Sequence, residues 1–433
     1  MRILLLVAWC WVFALSETTF FTNDPVFHAT TPVHTAGNPN NPPVVLVHGL
    51  GDEASSIWEA TARFLEKEFY VVRFDLPGFG EASKGNHLYS PQNYSTFIHH
   101  LTKHYLGRPF HLIGHSMGAA IALQYTHTYS TDVRSLVLIS AAGILHHKAY
   151  SNFIIDQKVE NVSEEPLLGQ HLPTHAIGRF LQRVSTSANT TAVDPQSILN
   201  SEKLRQTLLG GNPASIAALA LAHTNFNGIP EHILQNTTLI WGEKDDVAPL
   251  QTGYVLHKRM PNVAFFSIQE AGHLPLITHE KTFFTFLENH FHHFTPTPWR
   301  APHQSDASQT GTLQHANNHI LTGTFETLAI YNSRNVLIRD AHIRALSIVN
   351  SDVRIENSAI TLLEEPMRLQ NAQVAITAST LTGHVHLHAS TLNLAGVSLQ
   401  SGTQEPFVVS RPSRFIYSLC TINGHLVHGQ ETR

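Results

Sequence analysis

Cysteine is nearly absent: the 433 residues contain two, Cys10 and Cys420. A scaffold built on internal disulfides is therefore excluded. Charge is sparse as well. Asp, Glu, Lys and Arg make up 14% of the chain, and the net charge is −5 with histidine neutral. No basic patch stands out, which argues against nucleic acid as a partner. Past the N-terminus no apolar run is long enough to cross a bilayer. Histidine, in contrast, is abundant at 31 residues, so the net charge swings positive in a mildly acidic compartment. Hydrophobic residues reach 42%, enough for real cores, and the length suggests two or three domains.

Met1-Arg2 precedes a nearly unbroken apolar run from Ile3 to Leu15. The run is short for a membrane span, and Ala14 and Ser16 are small. This pattern reads as a signal peptide over residues 1–16, cleaved after Ser16. It predicts an exported protein: periplasmic, secreted or held at the cell surface. Cys10 falls inside that segment, leaving Cys420 alone in the mature chain. Sequons begin at Asn93, Asn161, Asn189 and Asn236 and matter only in a host that glycosylates exported proteins.

Short apolar runs bounded by turn residues recur along the first 290 residues. They read as buried parallel strands at Val44–Val47, Phe69–Phe74, Phe110–Ile113, Leu136–Ile139, Thr238–Trp241 and Ala264–Ile268. Helical patterns separate several of them, as at Ser56–Glu66 and Ser95–Tyr105. Such alternation predicts an α/β class with a largely parallel sheet and helices on both faces. About ninety residues, roughly 144–235, interrupt the rhythm between the fourth and fifth strands. They carry helical stretches such as Ile177–Val184 and Pro213–Thr224, and are expected to form a cap over the sheet's carboxyl edge.

Gly114-His115-Ser116-Met117-Gly118 follows the third strand and precedes an apolar, helix-compatible run. A G-x-S-x-G motif in that context holds a serine hydroxyl on a sharp strand-to-helix turn. Glycines flank it because a Cβ would collide with neighbouring backbone. A serine hydroxyl is a weak nucleophile and needs a base. His273, after the last strand and next to Gly272, has the position for one. A third, acidic group must orient the imidazole. Three carboxylates, Glu243, Asp245 and Asp246, compete for that place after the fifth strand.

Taken with Val47-His48-Gly49-Leu50-Gly51, Asp75-Leu76-Pro77-Gly78-Phe79-Gly80 and Trp241-Gly242-x-x-Asp245-x-Val247-x-Pro249, these motifs make residues 44–293 resemble the α/β-hydrolase superfamily. The likeness is to its lipase and esterase members with a helical cap. The resemblance implies the α/β-hydrolase fold. It also implies Ser116 as nucleophile, His273 as base and Asp245 as acid. Asp245 is preferred because the family's acid lies four residues after the tryptophan of Trp-Gly. The backbone N–H groups of Leu50 and Met117 are the implied oxyanion donors. No cofactor and no metal are called for.

Around Thr295-Pro296-Thr297-Pro298 the texture turns rich in Pro, Gln, Ser and Thr, and residues 294–312 read as a linker. Beyond it a pattern repeats. Val336-x-Ile338-x4-Ile343 recurs at Val353-x-Ile355-x4-Ile360, Val374-x-Ile376-x4-Leu381 and Leu392-x-Leu394-x4-Leu399. Looser copies start at Leu313 and Phe415. Short strands with polar turns precede most copies. This predicts an all-β domain over residues 313–433, a short parallel β-helix with inward aliphatics stacked coil on coil. His384-x-His386-x-His388 then falls on an outer face, with Val385 and Leu387 pointing in. The pairs His99-His100, His146-His147 and His292-His293 read as surface residues.

The expected activity is hydrolysis of a carboxylic ester, lipid esters included. The same machinery also serves relatives that cleave C–C bonds, amides or lactones, and fold alone does not separate these. A non-catalytic binding or assembly protein is the contrasting reading. The β-helix faces suit a surface glycan, a protein partner or self-association, and the repeat is expected to be dispensable for hydrolysis.

Overall fold

The computed structural model describes residues 17–147, 149, 194–302 and 308–433. The expected signal peptide, the helix over 177–184 and the sequons at Asn161 and Asn189 lie outside the described residues.

The first unit is an eight-stranded sheet. Its strands are β1 (Thr18–Asn23), β2 (Thr30–Ala36), β3 (Pro43–Val47), β4 (Tyr70–Phe74), β5 (Phe110–His115), β6 (Val133–Ile139), β7 (Asn236–Gly242) and β8 (Val263–Ile268). The spatial order is β1-β2-β4-β3-β5-β6-β7-β8. From β4 to β8 every pairing is parallel, so all these strands deliver their carboxyl ends to one edge. All six expected strands are present. The antiparallel strands β1 and β2 were not foreseen, because their alternation of half-buried and polar residues is weak.

Helices α1 (Glu59–Leu65), α2 (Pro91–Tyr105) and α3 (Met117–Thr128) connect the first strands. The apolar face of α2 (Tyr94, Phe97, Ile98, Leu101) packs with α3 on one side of the sheet. On the other side α1 packs with α8 (Glu280–His292) through Phe283 and Leu287. Within the cap interval lie α4 (Pro195–Asn200), α5 (Glu202–Leu209) and α6 (Pro213–Ala222). Ser201 and Asn212 cap the last two by accepting Leu204 and Ser215 N–H groups. Helix α6 is buried nearly all round, and its residues Ile216–Leu221 join the main core. Arg205 of α5 donates to Asn86 Oδ1 and Asn86 O, both at 3.0 Å, tying this segment to the loop beyond β4. That loop follows the carboxyl end of β4.

The C-terminal unit is all β. Strands β9 (Gln309–Gln314), β10 (Asn317–Tyr331) and β11 (Arg334–Ile343) open it. Then β12 (Leu346–Val349), β13 (Asp352–Glu356) and β14 (Ala359–Thr361) form the next coil. The coil repeats as β15 (Met367–Gln370), β16 (Gln373–Thr377), β17 (Thr380–Thr382) and as β18 (Val385–His388), β19 (Thr391–Ala395), β20 (Ser398–Gln400). Each strand pairs in parallel with its counterpart one coil on, giving a β-helix-like stack. The register joins Val336, Val353, Val374, Leu392 and Phe415 in one inward column, as the repeat predicts. After β21 (Phe407–Arg411) and β22 (Arg414–Ile422), strand β23 (His425–Thr432) folds back antiparallel on β22. It covers the edge that the last coil would otherwise leave open.

Corners explain the polar turns. Asn332, Asn350 and Asn371 adopt positive φ, where asparagine pays the smallest penalty after glycine. A serine follows at two of these corners. Ser351 Oγ accepts the Ser333 N–H from the previous coil at 3.0 Å and donates to Val349 O at 2.7 Å. Ser379 and Ser390 repeat the device, so buried backbone amides find partners where the strands bend away.

One expected repeat is corrected. The loose copy at Leu313 does not align with Val336, because Leu313 pairs with Ile330 on a different face of the coil. His319 and Leu321 of β10 oppose Val336 and Ile338 instead. A polar, exposed first coil hid that register.

The linker expectation is corrected as well. Thr297 N–H donates to Val263 O at 2.8 Å, and its Oγ1 accepts Phe265 N–H at 3.2 Å, pinning the segment to the edge of β8. Trp299 Nε1 donates to Asn357 Oδ1. The two units share a core. Ala395, Ile416 and Leu419 of the stack belong to the hydrophobic cluster of the first unit. They are small or apolar where the stack meets the first unit, and helix α7 (Leu250–Arg259) packs against β16. Lys258 of α7 donates to Ser379 O and to Gly396 O, the latter at 3.0 Å, under the Trp299 ring. His146 is not a free surface residue either: its N–H donates to Ser418 Oγ at 3.0 Å.

Candidate active site

Ser116 stands between β5 and α3 with φ 56° and ψ −120°. A non-glycine residue there costs on the order of 1–3 kcal/mol, so the surroundings must impose it. They do so through close packing. A Cβ on Gly114 would lie 2.4 Å from Gly118 O, and one on Gly118 would lie 2.2 Å from Val47 O. The two glycines let strand, turn and helix approach this closely. Ser116 N–H donates to Ile139 O at 2.9 Å, fastening the turn to β6.

His273 lies in the loop after β8. Its Nε2 is 2.9 Å from Ser116 Oγ, and its Nδ1 is 3.0 Å from both Asp245 carboxylate oxygens. All three side chains are buried. Asp245 is fully buried and also accepts Val247 and Ala248 N–H at 2.9 and 2.8 Å. The two other carboxylates of that loop do not reach the imidazole in this way: Glu243 accepts from Ser267 Oγ at 2.7 Å, and Asp246 is half-buried. The structure thus brings Ser116, His273 and Asp245 together in one hydrogen-bonded line.

Leu50 and Met117 border the same serine. Met117 is the first residue of α3, whose N–H has no acceptor within the helix. The loop carrying Leu50 runs against the turn: a Cβ on Gly49 would lie 2.8 Å from Ser116 Cβ. Two histidines hold this geometry. His48 Nδ1 donates to Gly49 O at 2.7 Å and its Nε2 accepts Leu76 N–H at 2.8 Å. Burial pushes its pKa down to about 4, so it is neutral in that double role. His115 Nε2 donates to His273 O at 2.8 Å, and burial pushes its pKa down to about 3. Asp75 accepts from Ser55 N and Oγ and from Glu81 N, bracing the loop after β4. His48, His115 and Asp75 lie within the sequence motifs, but nothing local in the sequence assigns them these tasks. Their signal was present, but a supporting hydrogen bond is a tertiary fact.

In the stack, Val385 and Leu387 point inward and His386 outward, while His384 and His388 bond Thr403 Oγ1 and Ser410 Oγ. Among the described residues no group of His, Cys, Asp or Glu has the arrangement of a metal site, and no helix is long and apolar enough to cross a membrane.

The sequence profile of the alpha/beta hydrolase fold family matches residues 42–280. The chain is 26% identical over 250 residues to the uncharacterized hydrolase YugF of Bacillus subtilis, a match spanning 55% of this chain and 85% of that one. It is 26% identical over 251 residues to a pimeloyl-acyl-carrier-protein methyl ester esterase of Legionella pneumophila, spanning 57% and 93%. It is 25% identical over 245 residues to lipase 1 of Psychrobacter immobilis, spanning 56% and 74%. The chain belongs to the α/β-hydrolase family and is a hydrolase.

Proposed function

We propose that this member of the α/β-hydrolase family is an exported serine esterase that acts on small-molecule carboxylic esters, lipid esters among them. Ser116 Oγ attacks the ester carbonyl while His273 Nε2 takes its proton. Asp245 holds the imidazole and stabilises its cationic form. The N–H groups of Leu50 and Met117 receive the oxyanion. His273 then returns the proton to the departing alkoxide, leaving an acyl group on Ser116. Water, deprotonated by His273, attacks that acyl group and frees the acid and the serine.

The observation that carries this reading is the line Ser116 Oγ, His273, Asp245, with contacts of 2.9 and 3.0 Å in a buried site. The esterase and lipase among the relatives favour ester bonds over the other acyl bonds the same groups can break. Export rests on the N-terminal apolar segment, and sequencing the N-terminus of the mature protein tests it. The activity is tested with nitrophenyl esters of increasing acyl length. Wild type is expected to turn over and to be labelled by a fluorophosphonate probe, and Ser116→Ala to do neither. Equal turnover by the two proteins rejects the assignment.

A further inference from the structure

Between the two units lies a cleft of ≈ 410 Å³, bordered by the loop that carries Asp245. One wall comes from that loop and α7, with Glu243, Lys244, Gln251 and Tyr254, the Lys244 ammonium pairing with Glu270 at 2.7 Å. The other comes from the outward face of the stack, with Arg339, Arg354 and Glu356. The stack residues belong to two neighbouring strands, where Arg339 opposes Glu356 and Leu337 opposes Arg354 across one coil.

Three of these polar side chains are more than nine-tenths buried. Gln251 is 7% exposed, Arg354 6% and Glu356 5%. They are braced rather than loose. Gln251 Nε2 donates to Glu356 Oε1 at 2.9 Å, and Arg354 donates to Asn335 Oδ1 at 3.1 Å. Gln251 Oε1 finds no partner among the described residues, an acceptor left unused at a buried position. Tyr254 sits edge-on against Phe265, 5.7 Å between centroids, and its hydroxyl has no protein partner among the described residues. Burial, followed by the charge of Glu356, pushes the Tyr254 pKa up to about 12, so the hydroxyl keeps its proton. A volume of this size suits a small ligand, and junctions between units are common places for one.

We propose that this cleft binds a short neutral oligosaccharide. The chemistry of its walls selects that class. Arg339, Arg354 and Tyr254 offer donors, while Glu243 and Glu356 offer acceptors, set within one small space. Vicinal hydroxyls donate and accept at once, so they satisfy both kinds of group. A simple anion would face Glu243 and Glu356. A simple cation would face the two guanidinium groups and the Lys244 ammonium, whose charge Glu270 already pairs. Leu337 and the Tyr254 ring supply apolar surface for the C–H face of a sugar ring. The acyl substrate of Ser116 is a separate molecule, so binding here does not depend on the esterase reading.

The test is calorimetric titration of the intact protein with neutral di- to tetrasaccharides, free and as part of soluble polysaccharides, with inorganic phosphate and acidic oligosaccharides alongside. Binding of a neutral sugar in either form is expected. Arg339→Ala, at a half-buried position, and Tyr254→Phe, which keeps its packing, are each expected to weaken it about tenfold, the loss of a good hydrogen bond. Both variants should keep the wild-type melting temperature and ester turnover. Binding of phosphate or acidic sugars alone, no binding of any neutral sugar, or binding unchanged in both variants overturns the proposal.

Discussion

Gly396 of the stack lies so close to Val255 of α7 that a Cβ built on it would sit 2.9 Å from Val255 Cγ1. Its φ of 63° is also one that a side chain resists. The C-terminal unit is therefore docked through a point with no spare volume. Gly396→Ala should destabilise the protein by about 1–3 kcal/mol, from overpacking and left-handed strain together. Chemical denaturation of the two proteins side by side checks this, and an unchanged midpoint would count against a tight joint.

The same joint bears on truncation. A chain ending at Thr297 would remove Ala395, Ile416 and Leu419 from the core of the first unit and uncover Val255 of α7, against which Gly396 packs. It would also leave Lys258 without its two carbonyl acceptors. We expect this fragment to be less stable and more prone to aggregate than the whole protein. Its solubility and melting temperature measure the effect. A fragment as stable and active as the full chain would restore the picture of a tethered, dispensable module.

Asp245 and Asp246 are neighbours in sequence with different surroundings. Asp245→Asn should lower kcat by about 10³–10⁴-fold, since the imidazole loses the group that fixes its tautomer. Asp246→Asn should leave the rate close to wild type. Steady-state ester hydrolysis by both variants distinguishes them, and equal losses would contradict the assignment of the acid.

Gly49→Ala places a methyl group 2.8 Å from Ser116 Cβ. The loop must shift, and the Leu50 N–H shifts with it. Loss of one oxyanion donor costs about 3 kcal/mol of transition-state stabilisation, or roughly a hundredfold in kcat. The melting temperature should move little by comparison. A falsifying result is full activity with the loop substitution in place.

His290 is buried, with Nε2 2.7 Å from Ser135 Oγ and Nδ1 2.8 Å from Thr238 Oγ1. Burial pushes its pKa down to about 3 from the ordinary 6.5. Between those values the unfolded chain binds the proton and the folded chain does not. Its contribution to stability is therefore present above pH 6.5 and declines as pH falls toward 3. His48, His111 and His115, also lowered by burial, act in the same direction. Unfolding free energies measured from pH 7 down to 4 should fall steadily, and His290→Gln should flatten that slope by up to one proton. A slope identical in the variant would show that His290 does not titrate this way.

Local sequence carried much of the site. A strand, a Gly-flanked serine and a helix announce Ser116 because that turn admits few residues. Chain order alone set His273 after the last strand of the sheet. Repeating aliphatics at fixed spacing announced the stack, since each coil must bury the same columns. Where the signal is weak, at Leu313 in the exposed first coil, the spacing does not give the register.

Other facts had no local signature. Choosing Asp245 over its neighbours needed the family pattern in sequence. In space it follows from burial and from the 3.0 Å contacts with His273. The tasks of His48 and His115 depend on backbone groups 28 and 158 residues away. The joint between the two units was hidden for the same reason. An alternating strand names which residues point outward, but not what they meet. Only the folded chain set Gly396 against Val255 of α7 and brought Ala395 and Ile416 into the core of the first unit, because surface complementarity is a property of two elements together and of neither sequence alone.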